Sequence, residues 1–264
     1  MMKLAMAQMQ MAPSLGENLE KTLQRMERAA ELDADLLFFP EVQLSPFFAA
    51  VRGGDASQWL LRADGPEITA IREKARELGI CVSPNVYLEE NGKPYDASLM
   101  IGADGEVLGV SKMVHIPQAE NFWEQDYYTP SDTGFRVYDL PCGRVGVVIC
   151  FDRHIPDGVR NCVRQGAELV IIPTANLTIE NMGLFEIELR GLAVQNRCFV
   201  AMCNRVGQEG ELCFAGHSIL VAPDSRIEFK AGGLEGLYVM DLNLEEARQA
   251  QAECCWFEHD LLPR

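Results

Sequence analysis

Residues 144–157 read RVGVVICFDRHIPD. An apolar run climbs to Cys150, and the chain then turns abruptly charged at Asp152, Arg153 and His154. The run reads as a strand and the segment from about Pro156 as a helix, so a reactive thiol sits where a strand hands over to a helix. Upstream, FRVYDL (135–140) and a Pro141–Gly143 turn make a hairpin with this strand. Downstream, ELVIIPT (168–174) is again a buried strand ending at a loop, followed by a helix over roughly 181–197. FVAMCNR, HSILVAP, RIEFK and LYVMDL continue as strands, with a turn at Pro223–Ser225 and a last helix from NLEEARQAQ, for which Asn243 is the expected N-cap.

The first half has the same rhythm. KLAMAQMQ reads as a strand, and GENLEKTLQRMERAAEL places Leu19, Leu23, Met26 and Ala30 on one helical face. DLLFFPE (35–41) is wholly apolar between Asp35 and Glu41, as a strand buried on both faces should be. Pro66 opens a second helix. ICVSPNVYLEE and PYDASLMIG read as strands joined through Asn91–Gly92, a type I′ hairpin signal, and Asp104–Gly105 turns into the strand that ends at Lys112. No linker or shift of composition interrupts residues 1–264. The expectation is one domain of α/β class, made of two similar halves packed sheet to sheet with helices outside.

Composition excludes several classes of partner. A net charge of −16 repels phosphate backbones and anionic membrane faces. The first residues, MMKLAMAQMQMAP, lack the apolar core of a signal peptide, and no run approaches the roughly 18 apolar residues of a membrane span. The nine cysteines are odd in number and form no CxxC pair, which points to free thiols in a reducing, cytoplasmic compartment. Cys254–Cys255 has no surrounding His/Cys cluster, so no metal is expected there.

Three strand ends carry reactive side chains: Glu41, Lys112 and Cys150. Singly, each reads as a solvated, capping or core residue. Together a carboxylate, an amine and a thiol make a nucleophilic site. In this order and spacing, FFPE, SKMVHIP and VVICFDRHIPD resemble the nitrilase superfamily of carbon–nitrogen hydrolases. AQMQMAPSLGENLEK, FWEQDYYTPSDTGF, GAELVIIPTAN, RGLAVQNRCFVAMCNRVG and FAGHSILVAPDSR extend the resemblance over about residues 3–242.

The resemblance implies a four-layer α-β-β-α sandwich, dimers or larger symmetric assemblies, and no metal or organic cofactor. It implies a Glu–Lys–Cys triad at Glu41, Lys112 and Cys150, with Glu124 as a second glutamate beside the lysine. The sequence departs from the pattern at one point. Many members have a histidine two residues after the lysine, whereas His115 is three after Lys112. In the implied chemistry Glu41 is the general base, and Lys112 and the Phe151 backbone N–H stabilise the oxyanion.

Family members acting on N-carbamoyl amino acids resemble this chain in having an arginine three residues after the cysteine, so Arg153, with His154, is expected to clamp a substrate carboxylate; the alternative is that Arg153 pairs with a local acid. Phe47, Trp123, Thr174 and Asn176 are further candidates for the pocket wall. The expected reaction is hydrolysis of an N-carbamoyl amino acid to amino acid, CO2 and ammonia. The alternatives are an ω-amidase or aliphatic amidase acting on a carboxylate-bearing monoamide, and a catalytically idle binding homologue. Residues 243–264 are expected to form a helix and an apolar tail at a subunit interface.

Overall fold

The computed structural model describes residues 1–255; Trp256, Phe257 and Leu261–Leu262 of the apolar tail lie outside them. The first seven strands are β1 (Met2–Gln8), β2 (Leu36–Phe38), β3 (Leu61–Arg62), β4 (Cys81–Ser83), β5 (Asn85–Glu90), β6 (Lys93–Ile101) and β7 (Val107–Lys112). The second half adds β8 (Arg136–Leu140), β9 (Gly143–Val147), β10 (Leu169–Thr174), β11 (Phe199–Asn204), β12 (Val206–Glu209), β13 (Leu212–Ala215), β14 (Ile219–Val221), β15 (Ile227–Lys230) and β16 (Gly236–Leu242). The helices are α1 (Leu15–Glu31), α2 (Pro66–Leu78), α3 (Asp157–Arg164), α4 (Met182–Asn196) and α5 (Leu244–Ala252). None is long and apolar enough to cross a membrane.

One sheet runs β16-β1-β2-β4-β6-β5-β3 with β7 beside β6, and the other runs β15-β14-β11-β10-β9-β8. Their strands are apolar on both faces because each face meets a different core. In β1, Met2, Leu4 and Met6 enter the layer between the sheets, where they share a core with Val145, Val147, Leu169 and Ile171. The alternate Ala5 and Ala7 join Met26 and Ala29 of α1 and Ile68 and Ile71 of α2. On the far side Val170 and Ile172 of β10 pack against Val159 of α3 and Leu189 of α4. Three cores between four layers are the α-β-β-α sandwich.

Two details depart from the sequence reading. ICVSPNVYLEE is not one strand: Pro84, which has no N–H to give a ladder, divides β4 from β5. β4 lies parallel to β2, while β5 runs antiparallel to β6 through the Asn91–Gly92 turn, with φ of 56° and 75°. The β12–β13 hairpin, VGQEGELCFA, had no counterpart in the sequence reading.

Candidate active site

Parallel strands of a twisted sheet deliver their carboxyl ends to one rim, and loops leaving that rim can converge. Cys150 follows β9, Thr174 ends β10, Asn204 ends β11, and Glu41 lies three residues beyond β2 of the other sheet. The two sheets are joined here by backbone. The Glu41 N–H donates to Thr174 O at 3.5 Å, and Arg205 Nε donates to Glu41 O at 2.8 Å. Arg205 is fully buried, and its other nitrogens hold Val42 O, Ser45 O and the Glu209 carboxylate at 2.6–2.9 Å. Sequence reasoning passed over this residue; an arginine directly after a strand end was its only signal.

Cys150 adopts φ 39°, a left-handed conformation that costs a non-glycine residue of order 1–3 kcal/mol. The strain turns Sγ out of the strand line toward Thr174 Oγ1, 3.3 Å away, and Arg153 Nη1, 3.7 Å away. Asp152 fixes the turn. Its carboxylate accepts from the backbone N–H groups of Val114 and His115 at 2.9 and 2.8 Å, and its Oδ1 lies 2.8 Å from His115 Nδ1. His115 therefore braces the loop from β7 against the cysteine turn.

Three buried carboxyl groups gather beside the thiol: Glu41, Asp96 and Glu124. Among the described residues no cation pairs with their oxygens, and the one amide that bears on them is that of Asn85, which acts on Asp96 against the effect of burial. The polar neighbours of the Glu41 carboxyl are the Asp96 carboxyl and the Cys150 thiol, which bond to it only by sharing a proton. Burial, reinforced by Glu124, pushes Glu41 up to about 7. Burial and Glu41 hold Asp96 well above the carboxylate range, and burial with Asp96 and Asp152 does the same to Glu124. Burial also pushes the Cys150 thiol up; Glu41 adds to this and Arg153 opposes it. Asp96 is a member of the cluster that sequence reasoning missed, because an acid inside PYDASLMIG looks like one more solvent-facing strand residue.

The structure does not bring Lys112 to this cluster. Lys112 pairs across the ladder with Ala97 and so shares the helix-side face of β6, where its Nζ lies 4.2 Å from the Tyr95 ring centroid. There it is held by Glu90 at 2.5 Å and Asp132 at 2.9 Å. Burial works against its charge, but these bonds outweigh burial and raise its pKa. The next residue, Met113, takes the inner face: its N–H donates to Asp96 O at 3.0 Å, and its side chain is fully buried in the inter-sheet core with Cys150. A shift of one residue along a strand moves a side chain to the opposite face. The offset of His115 from Lys112 was the sign of that shift. Met113, two residues before His115, occupies the inner-face position expected for the lysine.

A cavity of about 230 Å³ opens beside the thiol, with Glu124, Cys150, Arg153, His154, Asn176 and Glu180 on its wall. Its apolar side is made by Phe122, Phe151 and Phe185. Arg153 is buried, with Nη1 donating to Cys150 O at 3.0 Å and Thr174 Oγ1 at 3.2 Å, and Nη2 to Asn176 Oδ1 at 2.8 Å. On its outer side Glu188 lies 3.5 Å from Nε, and the same carboxylate meets His154 Nδ1 at 2.7 Å. Phe47 lies elsewhere, edge-on to Phe122 and Phe214 at 5.7 and 5.8 Å, on a separate groove. Trp123 is also off the cavity wall, with the Arg52 guanidinium 4.9 Å from its ring centroid.

Comparison with known proteins agrees with this architecture. The sequence profile of the carbon-nitrogen hydrolase family matches residues 3–252. An N-carbamoylputrescine amidase of Solanum lycopersicum is 28% identical over 230 residues, covering 81% of this chain and 77% of its own. An omega-amidase of Xenopus tropicalis is 26% identical, covering 92% and 89%. A glutamate-to-glutamine variant of the amidase from Nesterenkonia sp. AN1, solved with the acetamide moiety of fluoroacetamide on its active-site cysteine, superposes with a TM-score of 0.82 at 25% identity, covering 99% and 97%. A chain matched from its first strand to its last helix, and built as the same sandwich, belongs to the carbon-nitrogen hydrolase family of cysteine amidases.

Proposed function

We propose that the protein hydrolyses the terminal amide of a small ureido acid, an N-carbamoyl amino acid, through a thioester on Cys150. The observation that carries this reading is Cys150 itself, held in a left-handed turn on the cavity wall with the Glu41 carboxyl against its thiol. Glu41, with a pKa of about 7, takes the thiol proton near neutral pH. Sulfur adds to the carbonyl carbon, and the oxyanion meets the Phe151 N–H, which as the second amide of its turn has no partner within that turn. The C–N bond breaks and Glu41 returns its proton to departing ammonia. Water then cleaves the carbamoyl-thioester, and the released carbamic acid falls to amine and CO2.

The N-carbamoylputrescine amidase relative supports a ureido group at the scissile end. The carboxylate end rests on Arg153 and His154, whose charge is partly offset by Glu188. The omega-amidase relative, which spans more of the chain, favours a second reading: a dicarboxylate monoamide. The same proposal carries a homo-oligomer in the reducing cytosol, where the nine cysteines stay thiols. The test is ammonia release from N-carbamoyl-D- and L-amino acids, N-carbamoyl-β-alanine, glutaramate and simple amides. Release from glutaramate alone would replace the first reading by the second, and release from none would sink both.

A further inference from the structure

A buried thiol ionises only if a positive charge or a base stands beside it. Here the surroundings of Cys150 are acidic. Glu41 reaches it from the loop after β2 with Asp96 of β6 behind, Glu124 faces it from the turn at 124–126, and Asp152 lies on its own turn. Arg205 stands behind Glu41 and is committed to the backbone of residues 41–45 and to Glu209. Lys112 is across the sheet. Among the described residues that leaves one guanidinium in contact with sulfur, Arg153.

We infer that Arg153, and not Lys112, is the catalytic cation of this site, a fixed guanidinium that stabilises the Cys150 thiolate. This inference rests on the thiol chemistry proposed above. Three features qualify Arg153. Nη1 is 3.7 Å from Sγ, within reach of a charge-assisted N–H···S bond. The fork is held in place by Cys150 O, Thr174 Oγ1 and Asn176 Oδ1, with Phe185 beneath it at 4.5 Å from ring centroid to Cζ, so its charge needs no reorganisation when the thiolate forms. It is 1% exposed, so water screens it little. Met113, filling the inner face with an apolar chain, completes the substitution: the positive charge has moved from strand β7 to the cysteine's own turn.

The proton balance is closed. The Sγ–H proton passes to the Glu41 carboxylate, the sulfur lone pair forms the S–C bond, and the departing nitrogen takes the proton from Glu41. Water restores the thiol by adding to the thioester. No oxidant or metal enters. Arg153 in this role acts on every substrate alike, with or without a carboxylate.

The test measures alkylation of Cys150 by iodoacetamide against pH, read on the Cys150 peptide by mass spectrometry because Cys213 and Cys255 are exposed thiols that would react as well. Arg153→Met should shift the profile upward by about one pH unit, making Cys150 about tenfold slower to react at pH 7.5. Arg153→Lys should recover part of the shift. Glu188→Gln removes the half-buried acid that offsets Arg153, needs no change in the core, and should shift the profile downward. Profiles unmoved in Glu188→Gln and in a folded Arg153→Met would overturn the assignment. Alkylation requires no amide turnover. A normal Arg153-dependent profile with no ammonia from any amide would therefore sink the proposed function and leave this inference standing.

Discussion

The two faces of β6 and β7 treat charge in opposite ways. On the helix side, the buried Lys112 meets the water-accessible carboxylates of Glu90 and Asp132, and charge is answered by charge. One residue along, on the inner side, Asp96 lies with Glu41 and Glu124 among apolar groups, and charge is answered by protons. Exposed acids gain little from pairing, because water already solvates them. Buried acids without a cation must shed charge, and a carboxyl that sheds charge near pH 7 is a proton carrier. The difference teaches that a lysine tied into ion pairs has its charge already answered, while unpaired buried carboxyls are the groups left to trade protons, which is the basis of the roles proposed above.

The sharpest way to break this contrast is to remove its centre. Cys150→Ala should abolish ammonia release, by at least about 10³-fold, while circular dichroism and melting stay close to wild type. Retained turnover would place the nucleophile elsewhere. Glu41→Gln should lower kcat by about 10²–10⁴, the usual worth of a general base. The same variant tests the proton on the inner face. Glu41 keeps its proton in the fold up to about pH 7 but loses it near 4.5 when unfolded. Its neutral form therefore favours the native state at low pH. That contribution declines as pH rises between those values, by about 1.4 kcal/mol per pH unit. Urea unfolding at pH 5 and 7 should show the decline, and Glu41→Gln should flatten it.

Moving the cation across the strand sharpens the comparison further. Met113→Lys places an amine beside Glu41, which favours the ionised carboxylate. The acid limb of the pH–rate profile, set by Glu41, should move to lower pH; an unmoved limb would show that the inner face does not accept the charge. The smallest effect is expected from Lys112→Ala. Glu90 and Asp132 remain solvated, so stability should fall by about 1 kcal/mol or less and kcat by less than threefold. A loss comparable to that of Cys150→Ala would return Lys112 to the site.

The succession of strands and helices and the layering were legible in the sequence because burial on both faces leaves nearly continuous apolar runs, as in DLLFFPE and ELVIIPT, whereas the order of strands within each sheet was not. Cys150, Glu41 and Glu124 were legible by motif. What escaped depends on register. Whether Lys112 or Met113 faces inward is settled by the pairing of Lys112 with Ala97, a long-range contact that no local pattern encodes. Asp96 escaped for the same reason, since polar residues on a half-exposed strand and on a buried cluster look alike in one dimension. Arg153 was picked out for a substrate carboxylate on grounds of residue type. Its partners are Thr174, Asn176 and Glu188, brought in from later strands and a helix.

Arg205 adds a temporal dimension. Cys150 and Glu41 are made early in synthesis, but the guanidinium that holds residues 41–45 in place arrives only with the end of β11, and its counter-ion Glu209 later still. The segment that carries Glu41, made in the first sixth of the chain, therefore gains its anchor only when the second sheet closes on the first.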